Sequence, residues 1–516
     1  MRPAVSFARR ALLVLVGAPA LLAGSAGLGF VPRAEAEAAA AKAPAALSMK
    51  AFELTTFDGA RHQAKLGRLR VLEDRARAES PTITIAFVRL EATTAKPGPP
   101  IVFLAGGPGV PGTFLGRVPA YDALFERLRG LGDVILLDQR GTGISEPTLQ
   151  CVSEASLPAD AFEAEDKLAI ALGGVVRACT KMVRADGHAP EAYQTNANAD
   201  DLEDLRVALG ADRLRLLATD YGTELALAAV RRHGDRIDRI VLAGTRGPDR
   251  VWKFPSALGL HLKRIGRLVA SDPRYANDLP DLDATVRRIL DTLAWHAMSV
   301  EVTDAKTKKK VRLRVGPVGL QAALQSDISD GVAASLVPAM VLSLARGDSL
   351  LFARRIERLY NELGSGVSVM AVATDCASGG SPERIASAEE DGRTALLGGV
   401  GNLFLGPAFC DLVGNPDLGA AIRAPLSSET PALFLTGAND GIAPFDQTEE
   451  VRRGFPQGIH LLVENGWHET LPAAAVQDAV VAFFQGENVR GRRLSLEPTR
   501  FLSVEEAKAA ATKSLK

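Results

Sequence analysis

The stretch Leu216-Leu217-Ala218-Thr219-Asp220-Tyr221-Gly222-Thr223 limits the possible folds of this chain more than any other. An apolar run, Arg213 to Leu217, enters it, and a helix-forming run, Glu224 to Arg232, leaves it. A strand that turns at once into a helix brings two backbone segments close together. The bend therefore needs small residues on either side of its central position, and it lifts the central side chain above the sheet edge. Ala218 and Gly222 stand at those flanks, and the central residue is Asp220.

The surrounding pattern supplies the sheet. Alternating apolar positions at Phe52-Leu54, Leu69-Val71 and Ile83-Ile85-Phe87 read as three antiparallel strands. Short apolar runs then alternate with helical patterns: Ile101–Leu104, Val134–Leu137, the strand into the bend, and Ile240–Ala243. Helices are expected over 121–129, 161–185 and 199–209. This alternation predicts a doubly wound, mostly parallel sheet. From about residue 248 the pattern turns helical, as in Leu282 to Trp295 and Pro338 to Leu363, with a basic hairpin-like stretch from Lys306 to Arg314. Strand patterns resume at Ala432–Leu435 and Ile459–Val463. A helical block inside an interrupted sheet reads as a cap over the active edge.

The 516 residues exceed one ordinary domain. The expected division is a signal peptide over 1–36, a spacer over 37–47, the first part of the sheet domain over 48–247, a helical cap over 248–425, the rest of the sheet domain over 426–487, and a tail over 488–516. Arg2, Arg9 and Arg10 precede an apolar run from Ala11 to Phe30, and Ala34-Glu35-Ala36 fits a small-residue cleavage site. Glycines and Pro19 interrupt that run, which favours a cleaved signal over an anchor helix. The expectation is an exported protein, periplasmic or extracellular, without a stable membrane span after cleavage; Sec and Tat routes both remain open. A net charge of -1 gives no electrostatic case for nucleic acid. Four cysteines in an exported chain suggest disulfides, and of three pairings proximity in sequence favours Cys151–Cys179 and Cys376–Cys410 over the alternatives, free thiols included. The absence of a C-x-x-C pair gives little support to metal or redox chemistry.

Three loops follow predicted strands and carry chemistry. Ala105-Gly106-Gly107-Pro108-Gly109 follows the strand Ile101–Leu104 and lacks the phosphate-loop pattern. Its backbone N–H groups suit a developing oxyanion, with Gly107 and Tyr221 as the expected donors. Asn439-Asp440-Gly441 follows one late strand, and Trp467-His468-Glu469 follows the last. The order of elbow residue, acid and histidine, each past the carboxyl end of a strand, is that of an α/β-hydrolase fold. The candidate catalytic residues are Asp220, Asp440 and His468.

At this point the chain resembles the proline iminopeptidase and tripeptidyl aminopeptidase family, peptidase S33. The resemblance rests on Gly106-Gly107-Pro108-Gly109, on Asp138-Gln139-Arg140-Gly141-Thr142-Gly143-Ile144-Ser145, on Asn198 to Gly210, on Asp440 with Pro444, and on Gly466-Trp467-His468. It spans roughly residues 65 to 485. It implies a cofactor-free exopeptidase acting on a small-molecule or peptide-like substrate, often exported. The family has serine where Asp220 stands, so its acyl chemistry does not transfer. Thr219 is no substitute, because on a strand its side chain points to the opposite side.

A carboxylate can be a covalent nucleophile. It attacks best at saturated carbon bearing a leaving group, as in an alkyl halide or an epoxide, and forms an ester that a histidine-activated water can hydrolyse. Attack on an amide would give a mixed anhydride, uphill of the amide. The helix start behind Asp220 favours its ionised form. The expected function is a hydrolase with an Asp220-Asp440-His468 site; the alternative is an inactive or ligand-binding relative in which Asp220 only pairs with His468. No cofactor or metal is expected. Arg140 and Asp138 read as loop anchors, and Asp375 as a weaker candidate for holding a substrate amine. His62, His188, His233, His261, His296 and His460 read as surface or packing residues.

Overall fold

Strand β1 (Leu47–Thr55), β2 (Arg61–Leu72) and β3 (Thr82–Leu90) form an antiparallel meander. It carries the chain into β4 (Ile101–Leu104) and β5 (Val134–Asp138), with the short β6 (Gln150–Val152) beyond. The computed structural model describes residues 46–513 except 78, 155, 415 and 416, so the expected signal peptide lies outside the described residues. β1 begins at Leu47, one residue inside the expected spacer.

The elbow strand β7 (Leu214–Thr219) and β8 (Ile237–Ala243) come next. After Ala243 the chain leaves the sheet for a mainly helical region. Within it lie a hairpin of β9 (Met298–Thr303) and β10 (Lys310–Val315), and β11 (Gly366–Ser368), which pairs with β6. The chain returns in β12 (Ala432–Gly437), β13 (Ile459–Glu464) and β14 (Leu494–Ser495). The main sheet has ten strands in the order β1-β2-β3-β5-β4-β7-β8-β12-β13-β14, and every pairing from β5 to β14 is parallel. The mostly parallel central sheet and the helical insertion are thus as expected.

Burial explains the apolar runs. A parallel sheet covered on both faces needs apolar residues at successive positions. Val102 and Leu104, Ile135 and Leu137, Leu216 and Ala218, Ile240 and Leu242, and Phe434 pack on one face. Their neighbours Ile101 and Phe103, Val134 and Leu136, Leu217, Val241 and Ala243, and Leu433 and Leu435 pack on the other, against the helices Pro119–Leu128 and Ala474–Gln485. Each fully buried Leu, Ile or Phe contributes about 1.5–3 kcal/mol.

Register then places the site. Leu104 lies opposite Ala218, Thr219 opposite Ala243, Ala243 opposite Leu435, and Gly437 opposite Val463. The strands end level, so the loops that follow β4, β7, β12 and β13 open on one edge.

The helical pattern from Pro338 to Leu363 is two helices, Val337–Ala345 and Leu350–Ser365. Gly347, at φ +84°, takes a left-handed conformation that ends the first. In the C-terminal tail, β14 extends the sheet, and the helix Val504–Lys513 lies against the helices Val337–Ala345 and Leu350–Ser365. No helix among the described residues is long and apolar enough to cross a membrane.

Both favoured disulfides form. Cys151–Cys179 ties β6 to the helix Glu165–Ala185, and Cys376–Cys410 ties the helices Val369–Ser378 and Pro407–Val413 together. The loops they close span 28 and 34 residues. Chain entropy sets the contribution of loops of this length at about 3–4 kcal/mol each. Denaturant melts with and without reductant should show a lower midpoint on reduction, and the Cys376→Ser/Cys410→Ser pair should reproduce part of that loss.

Candidate active site

Asp220 adopts φ 50° and ψ -123° between β7 and the helix Tyr221–His233. For a non-glycine residue this backbone conformation costs about 1–3 kcal/mol and persists only where the surroundings enforce it. Here the Asp220 N–H donates to the Ala243 carbonyl at 3.0 Å, and the Thr223 hydroxyl donates to the Asp220 carbonyl at 2.6 Å. The small neighbours are required by contact. A Cβ at Gly222 would lie 2.1 Å from the Leu104 carbonyl oxygen, and one at Gly106 would lie 2.5 Å from the Asp220 Cβ.

The bend lifts the Asp220 carboxylate into the loop after β4. The Gly107 N–H donates to Asp220 Oδ2 at 2.6 Å. Asp220 Oδ1 faces His468 Nε2 at 3.5 Å, an ion-pair separation rather than a hydrogen bond. The Gln139 side-chain amide donates to the Ala105 carbonyl at 2.9 Å and steadies the loop from behind. Tyr221 follows directly, its ring fully buried.

Asp440 is 1% exposed, and its Oδ1 accepts the N–H groups of Ile442 and Ala443, each at 2.8 Å. Its Oδ2 lies 2.9 Å from His468 Nδ1. That contact keeps a proton on Nδ1 and turns Nε2 toward Asp220. Gly244, at φ +63°, borders the imidazole: a Cβ there would lie 2.7 Å from His468 Cε1. Only glycine leaves room for the ring.

The electrostatics follow from two carboxylates flanking one imidazole. Burial alone would lower the His468 pKa, but the charge and hydrogen bond of Asp440 and the charge of Asp220 override it and hold the group well above its ordinary value. Burial pushes the Asp220 carboxyl up, but the adjacent His468, the Gly107 N–H and Arg246 hold it well below the carboxylate range. Asp440 is lowered in the same way: His468 and the Ala443 and Ile442 N–H groups outweigh its burial. The resting site is an imidazolium between two carboxylates.

The structure brings all five expected site residues, Asp220, Asp440, His468, Gly107 and Tyr221, to one sheet edge. Arg140 is fully buried and bidentate on Asp201, at 2.8 and 2.7 Å, and also donates to the Glu73 and Ala192 carbonyls. Asp138 accepts from the Thr113 N–H and hydroxyl and from the Ile144 N–H. Both are loop anchors, as expected. Asp375 pairs through Oδ1 with Arg246. His62 lies partly buried between Asp122 and Glu126, at 3.0 and 3.3 Å.

Sequence reasoning missed Arg246 and Glu224. The Arg246 guanidinium pairs through Nε with Glu224 Oε2 at 2.6 Å, and it lies 5.6 Å from the Tyr221 ring centroid. Burial raises the Glu224 carboxyl, and the acids around Arg246 raise that group despite its own burial. A signal was present: Glu224 is the one acid in a helix otherwise apolar from Leu225 to Val230.

Comparison with known proteins bears on the fold. A family model described as alpha/beta hydrolase fold matches residues 99–286. A protein named serine protease Hip1 from Mycobacterium tuberculosis is 28% identical over 194 residues, covering 36% of this chain and 36% of its own length. A putative hydrolase named YuaR from Escherichia coli is 28% identical over 187 residues, covering 34% of this chain and 35% of its own. The chain thus spans about a third of the length of the curated relatives it matches. Among solved structures, a thermophilic esterase from Thermogutta terrifontis is 16% identical with a TM-score of 0.33, covering 81% of this chain and 97% of its own. The chain has the α/β-hydrolase fold.

Proposed function

We propose that this chain is a hydrolase whose nucleophile is the Asp220 carboxylate. The observation that carries the proposal is the seating of that carboxylate. One oxygen rests on the Gly107 N–H at 2.6 Å, and the other faces His468 Nε2 at 3.5 Å. A donor that would hold a substrate oxyanion in acyl transfer here holds the protein's own oxygen. That arrangement suits a reaction in which the tetrahedral centre forms on Asp220 itself.

In the first step Asp220 Oδ1 attacks a saturated carbon, and the bond to the leaving group breaks. A halide departs with the electron pair, or an epoxide C–O bond opens and its oxygen takes a proton from solvent water. The product is an alkyl ester of Asp220. Esterification removes one of the two negative charges beside His468, so its pKa falls and the imidazole can lose its proton to solvent. The neutral imidazole then takes a proton from water as hydroxide adds to Asp220 Cγ. Charge develops on Oδ2, which Gly107 already holds. Collapse expels the alcohol, which takes the proton back from His468; the acid left on Asp220 then gives its own proton to the neutral imidazole, which restores the carboxylate and the imidazolium.

The resemblance to the proline iminopeptidase and tripeptidyl aminopeptidase family, together with relatives named as a protease and a putative hydrolase, supports a common scaffold. It does not supply a hydroxyl at position 220. On this reading residues 248–425 form the cap over a small, non-peptide substrate. Two disulfides support an exported, periplasmic or extracellular location. A second reading, a ligand-binding relative without turnover, draws on the same self-neutralised resting site. A panel of alkyl halides and epoxides tests the two. Release of halide or diol by the native chain, abolished in Asp220→Asn, is the expected result. Saturable binding with no release across the panel would favour the binding protein.

The pH dependence separates the two half-reactions. Alkylation needs ionised Asp220, whose pKa is lowered, so its rate should stay flat down to and below the ordinary carboxylate range. Ester hydrolysis needs neutral His468, so it should rise with pH. Quenched-flow mass spectrometry should therefore find more alkyl-enzyme at pH 5 than at pH 8.

A further inference from the structure

We infer that Trp467, held by Thr499 of the C-terminal segment, is a positioning residue for His468. The inference rests on the reading of His468 as the base. Trp467 is 7% exposed and precedes the histidine in the chain. Its indole N–H donates to the Thr499 hydroxyl at 2.7 Å. The ring has no room to turn: a Cβ at Gly331 would lie 2.6 Å from it, and the buried His261 ring meets it edge-on at 5.8 Å between centroids. His261 is itself fixed by donating to the Ile328 carbonyl at 2.6 Å. On the backbone side, the Gly466 carbonyl accepts the Asn439 N–H at 2.8 Å, which joins the histidine loop to the acid loop.

Thr499 belongs to a strap with anchors at both ends. At one end, the Leu496 N–H donates to the Glu464 carbonyl and the Asn465 side-chain amide donates to the Leu496 carbonyl, both at 2.9 Å. At the other, the Leu502 N–H donates to the Ser335 carbonyl at 3.0 Å, and the Tyr275 hydroxyl bonds the Leu502 carbonyl. The strap therefore runs from the last strands of the sheet to the helical region and bonds the indole in between. The loop after β13 has only two residues, Asn465 and Gly466, before Trp467. Fixing the indole fixes the direction from which the imidazole leaves the backbone, and with it the line from Asp440 through His468 to Asp220.

Thr499→Val removes the acceptor and keeps the shape, and Thr499→Ser restores a hydroxyl. In the full chain, the Nδ1–H proton of His468 that bonds Asp440 should shift or broaden in the nuclear magnetic resonance spectrum of Thr499→Val and recover in Thr499→Ser. Hydrolysis of the alkyl-enzyme should slow by roughly tenfold or more, since small misplacements of a catalytic group cost that much, while alkylation changes little. Tyr275→Phe removes one of the two bonds at the far end, leaves the Leu502–Ser335 bond in place, and should leave the His468 signal unchanged. An unchanged His468 signal in Thr499→Val, or an equal change in Tyr275→Phe, would overturn the inference. The spectroscopic arm decides it even if no alkylating substrate turns over.

Discussion

His468→Ala should trap the enzyme as an ester. Mixed with a turned-over alkyl halide or epoxide, the variant should gain the mass of the alkyl group at Asp220 and hold it, whereas the native chain passes through that species. The reasoning is positional. Asp220 Oδ1 reaches a bound electrophile without help from the imidazole, and the Gly107 N–H and Arg246 keep the carboxyl ionised after His468 is removed. The second step has no other base at Nε2, so ester hydrolysis should fall by roughly 10²–10⁴-fold, the usual contribution of a general base. Intact-mass measurement over time reads both steps. Equal loss of adduct formation and of its hydrolysis would mean that the imidazole takes part in the first step as well.

The second large effect is on stability. Arg246→Ala leaves Glu224 with an uncompensated charge in a site where both side chains are about nine-tenths buried. Breaking such a pair costs about 3–5 kcal/mol, whereas replacing both partners by apolar groups of similar volume is near neutral. Arg246→Met/Glu224→Leu should therefore be more stable than Arg246→Ala in denaturant melts. Arg246 also bonds Asp375 on the helix Val369–Ser378, so the single variant should loosen that helix from the elbow helix. If the single and double variants melt together, leaving Glu224 unpaired carries no cost and the pair is not what the guanidinium stabilises.

The expected result for Arg246 also marks where sequence reading stops. Strands were legible because both faces of a parallel sheet are buried, which makes runs such as Val134–Leu137 continuously apolar. The elbow was legible because its steric demand falls on adjacent residues, Ala218 and Gly222. Asp440 and His468 were legible because each follows a strand that could be recognised by itself. The pairing of Arg246 with Glu224 was not, since it depends on how far the elbow helix stands from the segment after β8. Gly244 carried no local signal either, because its role is to leave space for an imidazole that arrives from position 468. The C-terminal segment was polar and short of periodicity, yet its anchors at Leu496 and Leu502 are made through its backbone, to which composition is blind. The seating of Asp220 on Gly107 was likewise beyond the sequence: it needs the loop conformation, with Gly107 at φ +107°.

The most direct measurement is a single turnover in heavy-oxygen water, followed by mass analysis of the peptide that carries position 220. The hydroxide that opens the ester adds to Asp220 Cγ, so the account predicts that heavy oxygen enters the Asp220 carboxylate while the first alcohol released carries light oxygen from the protein. Heavy oxygen in the product with none in that peptide would mean that water attacks the substrate directly, and the Asp220 carboxylate would then not be the nucleophile.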